Sequence, residues 1–175
     1  DTDKLKLLMK AFIESIFGYY PLVWMYHNRT LNRKINRLHE RALKLVYKDE
    51  NLSFSELLKR DNSFTIHQKN LQKLAIEMYK VKHDLSPSFM QDIFPQFETA
   101  YNFRNDCSFR KENIRTVTYG TDTISYWGPR LWSSVPPDIR NANHLLEFKN
   151  KIKKWTPSGC KCKICKTYIY QIGYV

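Results

Sequence analysis

Thr30-Leu-Asn-Arg-Lys-Ile-Asn-Arg-Leu-His-Glu-Arg-Ala-Leu-Lys-Leu-Val-Tyr47 is the stretch on which the fold reading turns. At roughly 100° per residue, Leu31, Ile35, Leu38, Ala42, Leu45 and Val46 fall within one sector about 100° wide. Arg29, Arg33, Arg37, Arg41, Lys44 and Lys48 fall on the opposite side. This pattern predicts an amphipathic helix with one face packed and the other presenting a row of guanidinium groups. Arginines repeated at i+4 repel one another in an isolated helix, and solvated faces commonly intersperse acids to form i,i+4 pairs. Only Glu40 does so here. Two readings of the row stand: a surface matched to a polyanion, or a solvated charged face.

The helical period extends in both directions. Leu5, Leu8, Met9, Phe12, Ile13 and Ile16 recur at helical spacing from about Thr2 to Phe17, and Gly18 with Pro21 interrupts them. A short helix is expected over Ser53 to Lys59. A third long one is expected from about Thr65 to Lys82, with Leu71, Leu74, Ala75 and Met78 as its core stripe and Lys69, Lys73 and Lys80 opposite. Met78 and Tyr79 read as core in this register. His67 and His83 flank the helix without a second ligand at i+4, so both read as surface or capping histidines. Leu85-Ser86-Pro87 stops the pattern.

Texture changes near Pro95, where Asn, Asp, Arg and Thr become frequent. Arg115-Thr-Val-Thr-Tyr119 and Thr123-Ile-Ser-Tyr-Trp127, around Gly120-Thr121-Asp122, read as a β-hairpin ended by Gly128-Pro129. Arg130-Leu131-Trp132 opens a short helix, Val135-Pro136-Pro137-Asp138 forces a turn, and a last helix is expected over about Asn143 to Trp155. That helix buries Leu145, Phe148, Ile152 and Trp155 and carries Lys149, Lys151, Lys153 and Lys154 on its exposed edges. The expected fold is mainly α: a helical thumb-like bundle over 1–94, a region over 95–156 with a β-hairpin and helices, and a Cys-rich basic tail over 157–175.

That tail holds Cys160-x-Cys162-x-x-Cys165 among Lys161, Lys163 and Lys166. Thiolates at this spacing can converge on one borderline-soft ion such as zinc, and neighbouring lysines favour deprotonated thiols. Closed structural zinc sites take four ligands, so Cys107, His144 or a partner molecule would supply the fourth. The alternative is free surface thiols or a disulfide.

In 175 residues, 29 Lys+Arg oppose 17 Asp+Glu, a net charge of +12, on a chain with 42 % hydrophobic and 14 % aromatic residues. That composition suits a folded domain with a polyanionic partner, nucleic acid before an anionic membrane surface. No apolar run reaches the ~18 residues of a membrane span, and Asp1 to Lys6 do not read as a signal peptide. An intracellular, reduced setting is expected, and a sequence opening on Asp1 reads as a fragment. Candidate nucleic-acid contacts are Arg29, Arg33, Lys34, Arg37, Arg41, Lys44, Lys48, Lys69, Lys73, Lys149, Lys153 and Lys154. Enzyme motifs are absent: no Gly-rich phosphate loop, no His-Glu-x-x-His, no Gly-x-Ser-x-Gly, no adjacent aspartates of the polymerase type. Asp49-Glu50 and Asp61 read as helix-end or turn residues, and no catalysis by this chain alone is expected.

Several blocks, in order, resemble the carboxyl-terminal part of reverse transcriptases from non-LTR, LINE-type retrotransposons, most like the jockey-like elements. They are Tyr20-Pro-Leu-Val-Trp-Met25, Leu31-Asn-Arg-Lys-Ile-Asn-Arg-Leu-His-Glu-Arg-Ala42, Ile66-His-Gln-Lys-Asn-Leu71, Ala75-Ile-Glu-Met-Tyr-Lys-Val81 and Leu85-Ser-Pro87. They continue with Thr116-Val-Thr-Tyr-Gly120, Ile124-Ser-Tyr-Trp-Gly-Pro129, Trp132, Val135-Pro136, Phe148-Lys-Asn-Lys-Ile-Lys-Lys-Trp155 and the cysteine tail. The resemblance implies a thumb and post-thumb region that comes after fingers and palm and grips template RNA, primer or target DNA in a ribonucleoprotein of cytoplasm and nucleus. The palm aspartates and the endonuclease are not in this sequence. Two other roles remain open: a structural fragment docking onto the missing palm, and a truncated element copy without maintained function.

Overall fold

The structure is a computed structural model that describes residues 1–97, 109–116, 120–156, Cys162, Ile164 and Cys165. It is mainly helical. The expected long helix is α4, Arg29–Tyr47, preceded by α1 (Thr2–Met9), a π-helical turn (Lys10–Glu14), α2 (Ser15–Gly18) and α3 (Pro21–Trp24). Then come α5 (Phe54–Asp61), α6 (Ile66–Lys82), α7 (Phe89–Ile93), α8 (Ile124–Ser134), α9 (Pro137–Arg140) and α10 (Leu145–Ile152).

Local chemistry sets these boundaries. Asn28 caps α4 by accepting the Leu31 N–H at 2.8 Å, and Lys48 closes it in a left-handed conformation at φ 52°. Before α5, Ser53 and Glu56 form a reciprocal capping box, satisfying two of the amides a helix start leaves unpaired. Thr65 and Gln68 do the same for α6: Gln68 Oε1 accepts the Thr65 N–H at 3.0 Å and Thr65 Oγ1 accepts the Gln68 N–H at 3.2 Å. The interruption expected at Gly18 and Pro21 is present. α2 ends at Gly18, Tyr20 is left-handed at φ 40°, and Pro21 opens α3 where its missing N–H costs nothing.

The chain divides into two compact units, 1–70 and 71–175, with the division inside the unbroken helix α6, between Asn70 and Leu71. In the first unit, α1, α4 and α5 bury Met9, Ala42, Leu43, Val46 and Leu57, with Leu5, Ile13, Tyr47, Leu52, Phe54 and Leu58 packed around them. This corrects the register expected for α4. Its buried residues are Asn32, Ile35, His39, Ala42, Leu43 and Val46, whereas Leu31, Leu38 and Leu45 are exposed. α1 and its continuation depart in the same way: Met9 is buried, but Leu8, Phe12 and Ile16 face outward. Past Met9, the wider π-helical turn shifts the register of α2 relative to α1.

The second unit centres on aromatic packing. Tyr79 stacks on Phe148 at 4.4 Å between ring centroids, Phe148 stacks on Trp132 at 5.9 Å, and Phe109 meets Trp132 edge-on at 5.8 Å. The buried Tyr79 hydroxyl donates to the Ala142 carbonyl at 2.9 Å. Leu71, Leu74, Ala75 and Met78 are fully buried, as their spacing predicts.

The β-hairpin is a correction. Thr123–Trp127 is not a strand; Ile124–Ser134 is helix α8, capped by Thr123 Oγ1 on the Tyr126 N–H at 3.4 Å, and the first expected strand falls partly on 117–119, outside the described residues. Gly128 and Pro129 lie inside this helix rather than ending a hairpin. A Cβ at Gly128 would sit 2.5 Å from Phe94 Cε1 and 2.9 Å from Met78 Sδ, so glycine permits the helix to approach closely. Among the described residues no strand forms; one isolated antiparallel bridge pairs Gln96 with Phe109.

Candidate nucleic-acid interface and metal group

With its inner face buried, α4 turns Arg29, Arg33, Lys34, Arg37, Arg41 and Lys48 outward, all exposed. From Arg29 to Arg41 the row spans about 18 Å at ~1.5 Å of rise per residue. Among the described residues none of these six forms an ion pair; Lys44 alone does, with Glu40 at 3.0 Å. At the carboxyl end of α4, Arg41, Lys44, Leu45, Lys48 and Glu50 line an open groove of about 580 Å³. Three cations against one acid leave it electropositive.

The other candidate cations are placed differently. Lys69 Nζ is bound to Glu14 Oε1 at 2.8 Å, and Lys73 is half-buried. Thus α6 does not repeat the apolar-in, basic-out pattern of α4. On and after α10, Lys149 is half-buried while Lys153 and Lys154 are exposed; Lys151 pairs with Glu147 at 2.7 Å.

Behind the arginine row lies a polar cluster. His39, on the inner face of α4, is almost wholly buried, with Nε2 3.8 Å from Glu14 Oε1, the same oxygen that binds Lys69. Burial, reinforced by the Lys69 charge and opposed by Glu14 and Asp61, lowers its pKa from 6.5 to about 4. The ring is therefore neutral at pH 7. Asp61 is more than a helix end: it accepts from Lys6 Nζ at 2.7 Å and from the Tyr47 hydroxyl at 2.8 Å. Burial alone would raise its carboxyl; hydrogen bonds from Lys6, Tyr47 and Ser63 outweigh it and hold the pKa below its ordinary value.

His67 stands in the first turn of α6 and is 2 % exposed, so it is not a surface histidine. Cys162 is equally buried, and its Sγ accepts the Cys165 N–H at 3.4 Å. Of the expected ligands, Cys160 lies outside the described residues, as do Cys107 and the tail lysines. His144 is exposed and sits 3.9 Å from Glu147.

No family model, no curated protein and no solved structure matches the chain. No helix of the described residues is long and apolar enough to cross a membrane.

Proposed function

We propose that this chain is the nucleic-acid-gripping, non-catalytic carboxyl-terminal part of a non-LTR retrotransposon reverse transcriptase, and that α4 makes the phosphate contacts. The observation that carries the reading is the row Arg29, Arg33, Arg37 and Arg41, with Lys34 and Lys48, exposed and without acidic partners among the described residues, on a helix whose opposite face is buried. Guanidinium groups left unpaired on a rigid helix match phosphates through planar, bidentate hydrogen bonds. The groove at the end of α4 extends the same field. The contact is to backbone phosphate of RNA or DNA, in a ribonucleoprotein that works in cytoplasm and nucleus. Fluorescence anisotropy with single-stranded RNA, an RNA hairpin and nicked duplex DNA over a salt series tests this. Binding that weakens steeply with salt is expected; salt-independent or absent binding to all three rejects the reading.

A second reading, docking onto the missing polymerase palm, has its own support. Leu31, Leu38 and Leu45 form an exposed row beside the cations, and Leu8, Phe12 and Ile16 form another on the preceding segment.

For the cysteine tail we infer zinc. The paired thiols of Cys162 and Cys165, joined by the Cys165 N–H to Cys162 Sγ contact, are soft donors that suit Zn²⁺ better than Mg²⁺ or Ca²⁺. Cys160, by its spacing in the sequence, is the candidate for a further thiolate.

A further inference from the structure

We infer that Tyr19 and Tyr20, displayed at the corner before α3, form a stacking platform for the bases of a single-stranded nucleic acid whose phosphates the α4 row holds. The inference rests on the phosphate-contact reading of α4 and adds to it the state of the ligand: unpaired bases rather than duplex.

Three observations carry it. First, the rings are presented to solvent. Tyr19 is 71 % exposed and Tyr20 66 %, with their centroids 4.4 Å apart and their planes at 83°. The pair leaves open aromatic faces, on which a base of any identity can stack. In a duplex the base faces are already covered by their neighbours.

Second, the corner that presents them is fixed and strained. Tyr20 sits at φ 40° and ψ 50°, a left-handed conformation that a bulky residue rarely adopts, and a residue before proline favours an extended backbone. The buried Pro21 and Met25 anchor α3, with the Met25 N–H donating to the Pro21 carbonyl at 2.9 Å. Trp24 Nε1 donates to the Tyr19 carbonyl at 2.9 Å and so holds the turn from the other side. Strain of this kind clusters at ligand-binding positions, and here it turns outward a ring that adds little to the core.

Third, the charge around the corner is of one sign. No acidic residue stands between Glu14 and Glu40, and within that span the tyrosines are followed by Arg29, Arg33, Lys34 and Arg37. Nine positions separate Tyr20 from Arg29, at most about 32 Å of chain and less with α3 helical. Exposed rings joined to an uninterrupted cationic row are the combination that holds single strands: the rings take the bases and the cations follow the backbone. Ile16 and Val23 are exposed nearby, but an apolar docking face gives no reason for a cationic row that begins where the rings end.

The test is fluorescence anisotropy of the full chain with four labelled ligands of about 12 nucleotides per strand. These are single-stranded RNA, single-stranded DNA, a DNA strand of abasic sites with the same phosphates, and blunt duplex DNA. The variants are the pair Tyr19→Ala with Tyr20→Gly, Tyr20→Gly alone, and the pair Tyr19→Phe with Tyr20→Phe. Glycine takes the left-handed conformation without strain, so Tyr20→Gly alone carries the comparison if the Ala/Gly pair fails to fold. The wild type is expected to bind both base-bearing strands more tightly than the abasic strand. The Ala/Gly pair is expected to bind the base-bearing strands about five- to a hundredfold more weakly, with the abasic strand, the duplex and the salt slope unchanged. The Phe pair keeps the rings and is expected to keep the affinity. Equal wild-type affinity for base-bearing and abasic strands overturns the platform, as does wild-type affinity in the glycine variants. A loss shared by the abasic strand, or reproduced by the Phe pair, overturns it too. In each of these cases a steep salt dependence leaves the α4 grip standing by itself, whereas a wild type that binds none of the four ligands overturns both.

Discussion

Acidification gives the most specific test of the first unit, because His39 is held neutral among packed groups. Its pKa is 6.5 when unfolded and about 4 in the folded chain, so below pH 6.5 the unfolded state binds a proton that the folded state refuses. The stability that His39 contributes is therefore full above pH 6.5 and is lost as the pH falls toward 4. At about 1.4 kcal/mol per pKa unit, the loss over that window is about 3 kcal/mol, much of the stability of a small unit. Carboxylates held low, such as Asp61, lose their contribution only near and below their unfolded value of 3.8, so most of the window belongs to the histidine. The assay is urea unfolding at a series of pH values by far-ultraviolet circular dichroism, on wild type and on His39→Leu. Leucine keeps bulk beside Phe54, on which the imidazole rests edge-on at 5.5 Å, and removes the titration. Wild-type stability is expected to fall steeply between pH 6.5 and 4, and that of the variant to stay nearly level. Parallel curves would show that His39 is not the titrating group.

The observed register makes two packing predictions. Leu43→Ala removes a fully buried side chain from the α1–α4–α5 core and is expected to cost about 2–5 kcal/mol, whereas Leu38→Asp, on the exposed row, is expected to cost under about 1 kcal/mol. Thermal melts of the two variants check this, and the reverse order would restore the leucine-centred face. Gly128→Ala puts a methyl against Phe94 and Met78 and is expected to destabilise the second unit by about 1–3 kcal/mol, read as a lower urea midpoint; an unchanged midpoint would mean that α8 does not pack against these two side chains.

The existence, length and polarity of α4 and the core stripe of α6 were legible because long periodic patterns outweigh local noise. The facing of α4 was not. A hydrophobic count centres the buried sector on Leu31, Leu38 and Leu45, yet the helix packs through Asn32, His39 and Leu43. Apolar side chains are common on surfaces, whereas the surroundings of a buried polar one are set only by the tertiary structure, as Phe54 and Glu14 are brought beside His39. The hairpin failed for a related reason. Thr, Ile, Tyr and Trp favour strands in half-buried settings, but Thr123 acts as a cap and Gly128 lets a helix into the aromatic core. The outward row of arginines was legible from spacing alone, because four residues make little more than a turn. The part of Lys69 was not, since its partner Glu14 is 55 residues away.

The decisive measurement is the salt dependence of nucleic-acid affinity with and without the α4 row. Replacing Arg33, Arg37 and Arg41 together by Gln leaves the buried face of α4 untouched, and circular dichroism verifies that the helix survives. With about 0.7–0.9 counterions released per phosphate contact, the slope of log affinity against log salt is expected to shrink by about 2–3. A slope equal to that of the wild type, on a folded variant, would assign the arginine row to solvent and contradict the proposed grip.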